Sequence, residues 1–366
     1  MKVLVITHDA TLSGAPRVAL LITRLLAGSG HDVRVVSRTP GPMLVQFSAE
    51  APTAVEPAHR WRARLWRRAP RPLALAVDAT MTTLTLLRAR PDLVYVNSTS
   101  AALYARAARW TRRRAIVLHG HESGVNSDVF LRRAGLRRPD EGIALVACSP
   151  SVQGELAALL DLPPTDIALL PSVPDQDVVL ERAEALAEPA YGDGLVIGCC
   201  GTAEMRKGVD LWETAAAKVR GALPGQDLRF VWVGAADDVR SETIDFVGPV
   251  DNPYPHLRRF DLLVLPSRDD PFPLVVLESM LLGTPVVAFD VGAVREQVGD
   301  AGVIVPAEDT TALADAVIRL VVDEDGRRQL GAAARERATT RFSTAAFARG
   351  LADVVGDVTP AGPPAS

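Results

Sequence analysis

Short, mostly apolar runs alternate with amphipathic stretches along the whole chain of 366 residues. Runs of this length without a solvent-facing polar set are typical of strands that a parallel sheet buries on both faces. In the first half they fall at 3–6, 33–37, 93–96, 116–118, 145–147 and 167–170. The first helical pattern starts near Pro16 and stops at Gly28 and Gly30, because glycine is favoured just past a helix end. Strand and helix in alternation predict a doubly wound α/β domain.

The alternation pauses once, over residues 181–194, which lose the strand pattern and end in glycines, and we expect a linker there. It then restarts, with strands predicted at 196–200, 229–233, 243–247, 262–265, 286–289 and 303–305, and helices at 208–222, 274–282 and 309–321. We therefore predict two Rossmann-like doubly wound domains, 1–180 and 195–342, which face a ligand-binding cleft. Segment 343–356 is expected to pack back on the first domain, and 357–366 to form a flexible tail.

The net charge of −4 conceals an asymmetry, since residues 1–172 carry 22 Lys and Arg against 13 Asp and Glu. A basic half indicates contact with something anionic, and no nucleic-acid motif accompanies it, so we expect no nucleic-acid partner. From Arg60 to Arg71, arginines are interleaved with Trp61 and Trp66. That composition favours a peripheral contact with an anionic membrane or an anionic acceptor, and equally a solvated loop.

The three cysteines, Cys148, Cys199 and Cys200, fit no disulfide framework and no zinc spacing, which favours a reducing compartment. The sequence opens directly on a predicted strand, so we expect no signal peptide. No run of ~18 uninterrupted apolar residues is present to span a membrane. We predict a cytoplasmic protein, with a peripheral position at the inner membrane face left open.

Three loop-to-helix junctions could bind an anion. The first, 7–17 (THDATLSGAPR), places Gly14 before a helix whose free N–H groups would suit a phosphate; an ordinary βα turn is the alternative, and the loop lacks the dinucleotide-binding G-x-G-x-x-G pattern. The second, 201–208 (GTAEMRKG), carries Arg206 and Lys207, although the chain has only three lysines. Two cations at a positive helix end indicate a diphosphate between them, with a solvated surface pair as the alternative.

The third junction, 266–280 (PSRDDPFPLVVLESM), has two prolines in a polar loop before an apolar helix. Free N–H groups around 272–275 would again face an anion, and Glu278 inside the helix could accept hydrogen bonds from ribose hydroxyls. The alternative is that Asp270 and Glu278 are surface acids favoured by the helix dipole.

A cluster of two histidines and a glutamate, His119-Gly-His-Glu122, ends a predicted strand. His119 could donate a hydrogen bond to a sugar hydroxyl, since strand ends display ligand groups in this fold class. The alternatives are a structural histidine with its hydrogen bonds satisfied, or a metal cluster, whose spacing would match no standard zinc pattern.

The third junction closely resembles the E-x7-E signature of the retaining GT-B glycosyltransferases of family 4, also called glycosyltransferase group 1. The surrounding segments resemble the same family: 13–17, 206–208, 231–234, 246–250, 260–267 and 283–288. The resemblance covers nearly the whole chain and is most specific over 198–345.

This resemblance implies a set of residue roles. Lys207, helped by Arg206, would bind the donor diphosphate, and Glu278 the ribose. Asp270 would hold the donor sugar, and Val250 would lie near the base. The remaining implied positions are the backbone of Phe272, Pro273 and Leu274 along sugar and phosphate, Gly14 near the phosphate from the first domain, and His119 near the reacting sugar. It makes His119, Asp270 and Lys207 the catalytic residues.

Taken together, we predict a hexosyltransferase that moves a sugar with retention from a nucleotide-diphosphate sugar, UDP rather than GDP, to a hydroxyl of a lipid-linked, polysaccharide or secondary-metabolite acceptor. Neither a metal nor a cofactor is expected, because cations and helix dipoles can carry the charge. Two departures leave alternatives open: Asp270 replaces the common Glu, and Thr202 stands where the family often has Arg. These alternatives are an epimerase or phosphorylase on the same fold, or a non-catalytic sugar-nucleotide-binding homologue.

Overall fold

The computed structural model describes residues 1–111, 115–136, 142–185, 189–236 and 239–359. By its internal contacts the chain divides into two compact units, Met1–Ser172 with the segment from Phe347 on, and Val173–Ala346. Each unit is a parallel α/β domain, as the alternating sequence pattern predicts.

The first unit is built on a seven-stranded sheet, all of whose pairings are parallel. Its strands are β1 (Lys2–Thr7), β2 (Asp32–Ser37), β3 (Thr53–Val55), β4 (Leu93–Asn97), β5 (Ala115–Gly120), β6 (Ala144–Ala147) and β7 (Ile167–Leu169). The order β3-β2-β1-β4-β5-β6-β7 reverses direction between β1 and β4. Such a switch point opens a crevice at the carboxyl ends of the strands, where ligands bind in this fold class.

The connecting helices of the first unit are α1 (Gly14–Gly28), α2 (Leu44–Glu50), α3 (His59–Arg68), α4 (Arg71–Ala89), α5 (Leu103–Trp110), α6 (Gly124–Ala134) and α7 (Pro150–Leu160). Helix α1 confirms the first predicted helical pattern, and its last residue is Gly28. Its buried face, which includes Val18, Ile22 and Leu26, recurs at the spacing of one helical face.

The second unit has a six-stranded parallel sheet of order β10-β9-β8-β11-β12-β13. The strands are β8 (Leu195–Cys200), β9 (Leu228–Val233), β10 (Ile244–Gly248), β11 (Leu262–Leu265), β12 (Val286–Phe289) and β13 (Gly302–Val305). Its switch point lies between β8 and β11, so the loops that follow these two strands share one edge of the sheet.

The helices of the second unit are α8 (Gln176–Glu184), α9 (Val209–Ala222), α10 (Tyr254–Arg259), α11 (Leu274–Leu282), α12 (Val294–Val298), α13 (Thr310–Val322) and α14 (Glu324–Arg341), and a final helix α15 (Thr344–Val358) follows. Trp212, Phe230 and Phe289 are fully buried in the core between α9, α13 and the sheet. From Phe347 onward α15 is assigned to the first unit, and a Cβ added at Gly350 would lie 2.8 Å from Leu170 Cδ1.

The structure differs from the expected layout of the chain in the position of the linker and in the start of the tail. Helix α8 extends to Glu184 and so overlaps the segment 181–194 predicted as a linker, while the division between units lies at Ser172 and Val173. Asp175 caps this helix through its side chain, a start signal that the sequence analysis missed. Of the predicted tail 357–366, residues 357 and 358 complete α15, and 360–366 lie outside the described residues.

The alternative of a solvated loop between Arg60 and Arg71 was also wrong, because the segment forms helix α3 and the start of α4. Arg62 forms ion pairs with Glu56 and Asp78, and Arg38 bonds Asp78 at 3.0 Å. All four side chains are at most 13% exposed, so this charge network holds α3 against the sheet and α4.

None of the helices in the described part of the chain combines the length and the apolar character needed to cross a bilayer.

Candidate active site

The loops that follow β8 and β11 meet at the switch point of the second sheet. The first contains the 3₁₀ turn Met205–Lys207, and its Arg206 carbonyl accepts a hydrogen bond of 2.9 Å from the backbone N–H of Arg268 in the second. These are two of the junctions predicted to bind an anion, and the fold brings them together although they lie about 60 residues apart in the chain.

Gly208 makes this close approach possible. Its φ of 71° lies in the left-handed region, and a Cβ added there would lie 1.8 Å from the carbonyl oxygen of Pro266. Since that neighbour is backbone, a side chain would force the two loops apart. The glycine that starts helix α9 is therefore required by the geometry of the loop contact.

Lys207 and Asp270 form a direct ion pair between Nζ and Oδ2. Their side chains are 16% and 10% exposed, so the pair is largely shielded from water. Arg206, by contrast, is 45% exposed and donates to the backbone carbonyl of Asp269 and to Glu204. The structure thus places the cation predicted for the diphosphate beside the carboxylate predicted for the sugar.

Arg268, which the sequence analysis missed, fixes this arrangement. Its two terminal nitrogens each lie 2.7 Å from a carboxylate oxygen of Asp210, and its Nε lies 2.9 Å from Glu308. One terminal nitrogen also donates to the carbonyl of Met205 at 2.7 Å, so the guanidinium joins helix α9, the 3₁₀ turn and the loop before α11. Such bidentate pairing restricts the orientation of both partners and so positions the turn that carries Lys207.

Helix α11 begins with free backbone donors. The residue before it is Pro273, and no side chain in the described part of the chain caps its first turn. At α13, in contrast, Asp309 accepts from the N–H groups of Thr311 and Ala312. Phe272 and Leu274 are buried, at 8% and 7% exposure, so the start of α11 is held in place. The N–H of Val276 donates to the carbonyl of Pro273, which leaves the N–H groups of Leu274 and Val275 for an anion.

Glu278 lies one turn into α11 and is 3% exposed. Tyr254, at the start of α10, donates from its hydroxyl to Glu278 Oε1 at 3.4 Å. Val250 is half-buried in the segment that joins β10 to α10. Tyr254 therefore orients the carboxylate predicted for the ribose, and no pattern in the sequence pointed to it.

The two predicted residues of the first unit differ in accessibility. Gly14 is exposed as the first residue of α1, and the side chain of Ser13 does not cap that helix within the described residues. His119, on β5, is fully buried, and its Nδ1 lies 3.0 Å from the hydroxyl of Tyr95. The contact of His119 with a sugar hydroxyl stays a prediction. Its burial agrees with the alternative of a structural histidine, but its Nε2 has no hydrogen-bond partner among the described residues, so the hydrogen bonds of that histidine are not all satisfied.

His121 and Glu122 form a hydrogen-bonded network beside His119. The Nδ2 of Asn97 donates to a carbonyl, which leaves its Oδ1 to accept from His121 Nε2 at 3.0 Å. The Oε2 of Glu122 accepts from the N–H and the hydroxyl of Thr99 at 3.0 and 2.7 Å. No group of three His, Cys, Asp or Glu side chains that could hold a metal ion occurs among the described residues.

Burial keeps both histidine rings neutral. It lowers the pKa of His119 well below its ordinary value of 6.5 and that of His121 to about 4. Between about pH 6.5 and pH 4, His121 of the unfolded chain binds a proton that His121 of the folded chain does not. The free energy of unfolding therefore falls as the pH drops through this range.

We expect the His121→Gln variant to lose less stability on acidification than the parent chain. Between pH 6.5 and 5, removing one buried neutral imidazole should lower the slope of unfolding free energy against pH by up to about 1.4 kcal/mol per pH unit. Urea unfolding at several pH values measures both slopes. Equal slopes would mean that His121 is protonated in the folded chain.

The two halves of the chain match two family models. Residues 12–176 match "Glycosyltransferase Family 4", and residues 194–323 match "Glycosyl transferases group 1". The glycogen synthase of Mycobacterium tuberculosis is 26% identical over 97% of this chain and 94% of its own length. A GDP-mannose-dependent alpha-(1-6)-phosphatidylinositol monomannoside mannosyltransferase of the same organism is 29% identical over 64% of this chain and 67% of its length.

Among solved structures, Anabaena HepE in complex with UDP-glucose is similar in fold. It has a TM-score of 0.76 and 19% identity, over 98% of this chain and all of that one. Both family models, the relatives and the fold agree with the resemblance of the third junction to the family signature. The chain belongs to family 4 of the glycosyltransferases, glycosyltransferase group 1, and has their GT-B fold.

Proposed function

We propose that this chain transfers a hexose-type sugar, with retention, from a nucleotide-diphosphate sugar to a hydroxyl of its acceptor. Lys207 and Arg206 bind the diphosphate together with the free N–H groups at the start of α11. Asp270 holds the sugar hydroxyls. Glu278 and Val250 hold the ribose and the base, and Gly14 and His119 serve the phosphate and the reacting sugar from the first unit.

The observation that carries this proposal is the position of Lys207. Its ammonium group lies against Asp270, in the loop that leads into the uncapped start of α11. A cation and free helix donors around one small volume suit a diphosphate. The carboxylate of Asp270 beside them suits the hydroxyl groups of the sugar attached to that diphosphate.

The chemistry follows from this charge arrangement. As the bond between the anomeric carbon and the diphosphate breaks, negative charge grows on the leaving group, and Lys207 and the helix donors stabilise it. We propose that the departing diphosphate takes the proton of the acceptor hydroxyl on the face it leaves. This route retains the anomeric configuration and requires neither a metal nor a cofactor. An inverted product would contradict it.

The donor base can be determined by ligand-induced stabilisation. We expect UDP, at a hundred times its Kd, to raise the free energy of unfolding by about 2.7 kcal/mol, because it binds only the folded chain. Thermal melting with UDP, GDP and ADP measures the preference. UMP is the matched control, since it lacks the phosphate that Lys207 would bind. Equal stabilisation by UMP and UDP would remove the diphosphate from the proposal.

We further propose that the first unit contacts an anionic membrane surface through α3 and the start of α4. Arg60, Arg64, Arg67, Arg68 and Arg71 are all exposed there, together with Trp61. Clustered arginines beside an exposed tryptophan suit an anionic lipid surface. A relative in the same family carries the name of a phosphatidylinositol monomannoside as its substrate, which is consistent with this placement.

A further inference from the structure

Two adjoining cavities lie in the first unit, and one of them is at the switch point of its sheet. One, of about 330 Å³ and called the polar cavity below for the charged side chains in its lining, is bordered by His8, Arg38 and Ser100, which follow strands β1, β2 and β4. Carboxyl ends of strands at a switch point are where this fold class binds ligands. The polar cavity therefore occupies the expected ligand position of this unit.

The other cavity is an apolar groove of about 560 Å³ between α4 and α5. Alanine, leucine and tryptophan side chains line most of it, and Trp110 at one end is 58% exposed. Leu75 and Leu103 line both cavities, so the groove adjoins the polar cavity at these two side chains. A ligand that occupied both would have a polar head and an apolar chain.

One arginine that lines the polar cavity has no acidic partner among the described residues. Arg38 and Arg62 are matched by the carboxylates of Glu56 and Asp78. Arg133, which also lines the cavity, lies over the ring of Trp66, 5.7 Å from its centroid, and has no acidic partner among the described residues. An unmatched guanidinium beside hydroxyl-bearing side chains suits a head that carries a phosphate and hydroxyl groups.

The surface around the groove is basic. Helices α3, α4 and α5 contain nine arginines and a single acid, Asp78, which is buried and paired. Helix α4 therefore borders the groove and also carries, at its start, part of the face for which we propose a membrane contact. Charge complementarity and the adjacency of the two cavities both indicate an amphiphile drawn from an anionic membrane.

We propose that the acceptor is an anionic lipid, whose hydroxyl-bearing head lies in the polar cavity beside Arg133 and whose hydrocarbon chain lies in the groove between α4 and α5. This inference rests on the proposed function, and it selects the lipid-linked acceptor over a polysaccharide or a water-soluble metabolite. The chain in the groove provides affinity through buried methylenes, and the head cavity provides orientation.

Alkyl phosphates test the groove directly in the full-length chain. Calorimetric titration below the micelle-forming concentration compares octyl phosphate with butyl phosphate. Four more buried methylenes, each worth up to about fourfold in affinity, should make octyl phosphate bind at least about tenfold more tightly. Equal affinity of the two probes for the parent chain would overturn the proposal.

Substitutions separate the groove from the head cavity. Ala79→Trp fills the groove and should abolish the preference for octyl phosphate, whereas Ala89→Trp should retain it, because Ala89 is equally half-buried on α4 but does not line the groove. Ala76→Trp, at an exposed lining position, replaces Ala79→Trp if that variant fails to fold. Arg133→Gln should weaken both probes by a similar factor and leave their ratio unchanged. A ratio that Ala79→Trp leaves intact would overturn the groove assignment.

Two further measurements decide between sources and between proposals. Phosphatidylglycerol vesicles should bind the parent chain and the Ala79→Trp variant equally well. If the parent chain binds neutral phosphatidylcholine vesicles and Ala79→Trp does not, the groove holds bulk membrane lipid, and the assignment of a lipid acceptor is overturned. UDP stabilisation is measured on the same samples. UDP binding without chain-length preference overturns the lipid acceptor alone, and chain-length preference without UDP binding overturns the proposed transfer and the acceptor role with it.

Discussion

Replacing Lys207 by alanine is expected to lower the turnover of the sugar donor by about 10²- to 10³-fold. This is the range observed when one donor that stabilises transition-state charge is removed from a shielded site. The ammonium group of Lys207 is mostly buried, so water can replace it only in part. Turnover is measured as release of nucleoside diphosphate at saturating donor.

Lys218 provides the matched control for that substitution. It lies in the same unit, and among the described residues its ammonium group bonds only the hydroxyls of Thr310 and Thr311. Lys218→Ala should change turnover less than twofold. A Lys207→Ala chain that turned over donor as fast as Lys218→Ala would remove Lys207 from the mechanism.

Loss of structure must be separated from loss of chemistry, because Lys207→Ala leaves the carboxylate of Asp270 without its partner. An unpaired, mostly buried acid should cost about 1–3 kcal/mol of stability. The double substitution with Asp270→Asn removes that acid. We expect it to recover much of the melting temperature while turnover stays low, since neither the cation nor the carboxylate is restored.

The strand pattern predicted both sheets because parallel strands that are buried on both faces must be apolar at nearly every position. Twelve of the thirteen strands were predicted in this way, and β11 and β12 were predicted to the residue. Strand β3 was missed because it has three residues at the sheet edge, and none of them is fully buried. Short edge strands carry little apolar signal, and their pairing is decided by the neighbouring strand.

Helix α3 is an element whose structure could not be predicted from its own short stretch of sequence. From composition, Arg62 is one arginine among many in a basic stretch. In the fold its charge is matched by Asp78, 16 residues away, and by Glu56. The acidic partners that fix the segment lie outside the short stretch over which hydrophobic periodicity is evaluated. A mobile loop and a packed helix therefore have the same local sequence pattern.

The residues of the candidate site also differ in whether the local sequence could identify them. Lys207 could be singled out from its position before a helix start, where a cation is unusual, and Glu278 from its position in the first turns of an apolar helix, whereas the role of Asp270 came from the resemblance to the family signature. Arg268 and Tyr254 could not, since each acts through a partner distant in the chain: Asp210 and Glu308 for the arginine, and Glu278 for the tyrosine. Residues proposed to bind the donor can leave a local pattern in the sequence, whereas residues that position them through distant partners do not.

Gly208→Ala is the substitution from which we expect the largest loss of donor-site geometry without any change in charge. Alanine in the left-handed region costs roughly 1 kcal/mol, and its Cβ would also overlap the carbonyl oxygen of Pro266, which belongs to the backbone and must move. We expect a loss of at least about 2 kcal/mol of stability and at least tenfold weaker UDP binding. Both follow because the two loops that carry Lys207 and Asp270 separate.

Gly221→Ala is the matched control in the adjoining helix α9, where an added Cβ meets no atom within 4 Å and should stabilise the chain by up to about 1 kcal/mol. Urea unfolding and UDP titration of both variants test this. If Gly208→Ala binds UDP as tightly as Gly221→Ala, the close approach of the two loops does not form the diphosphate site.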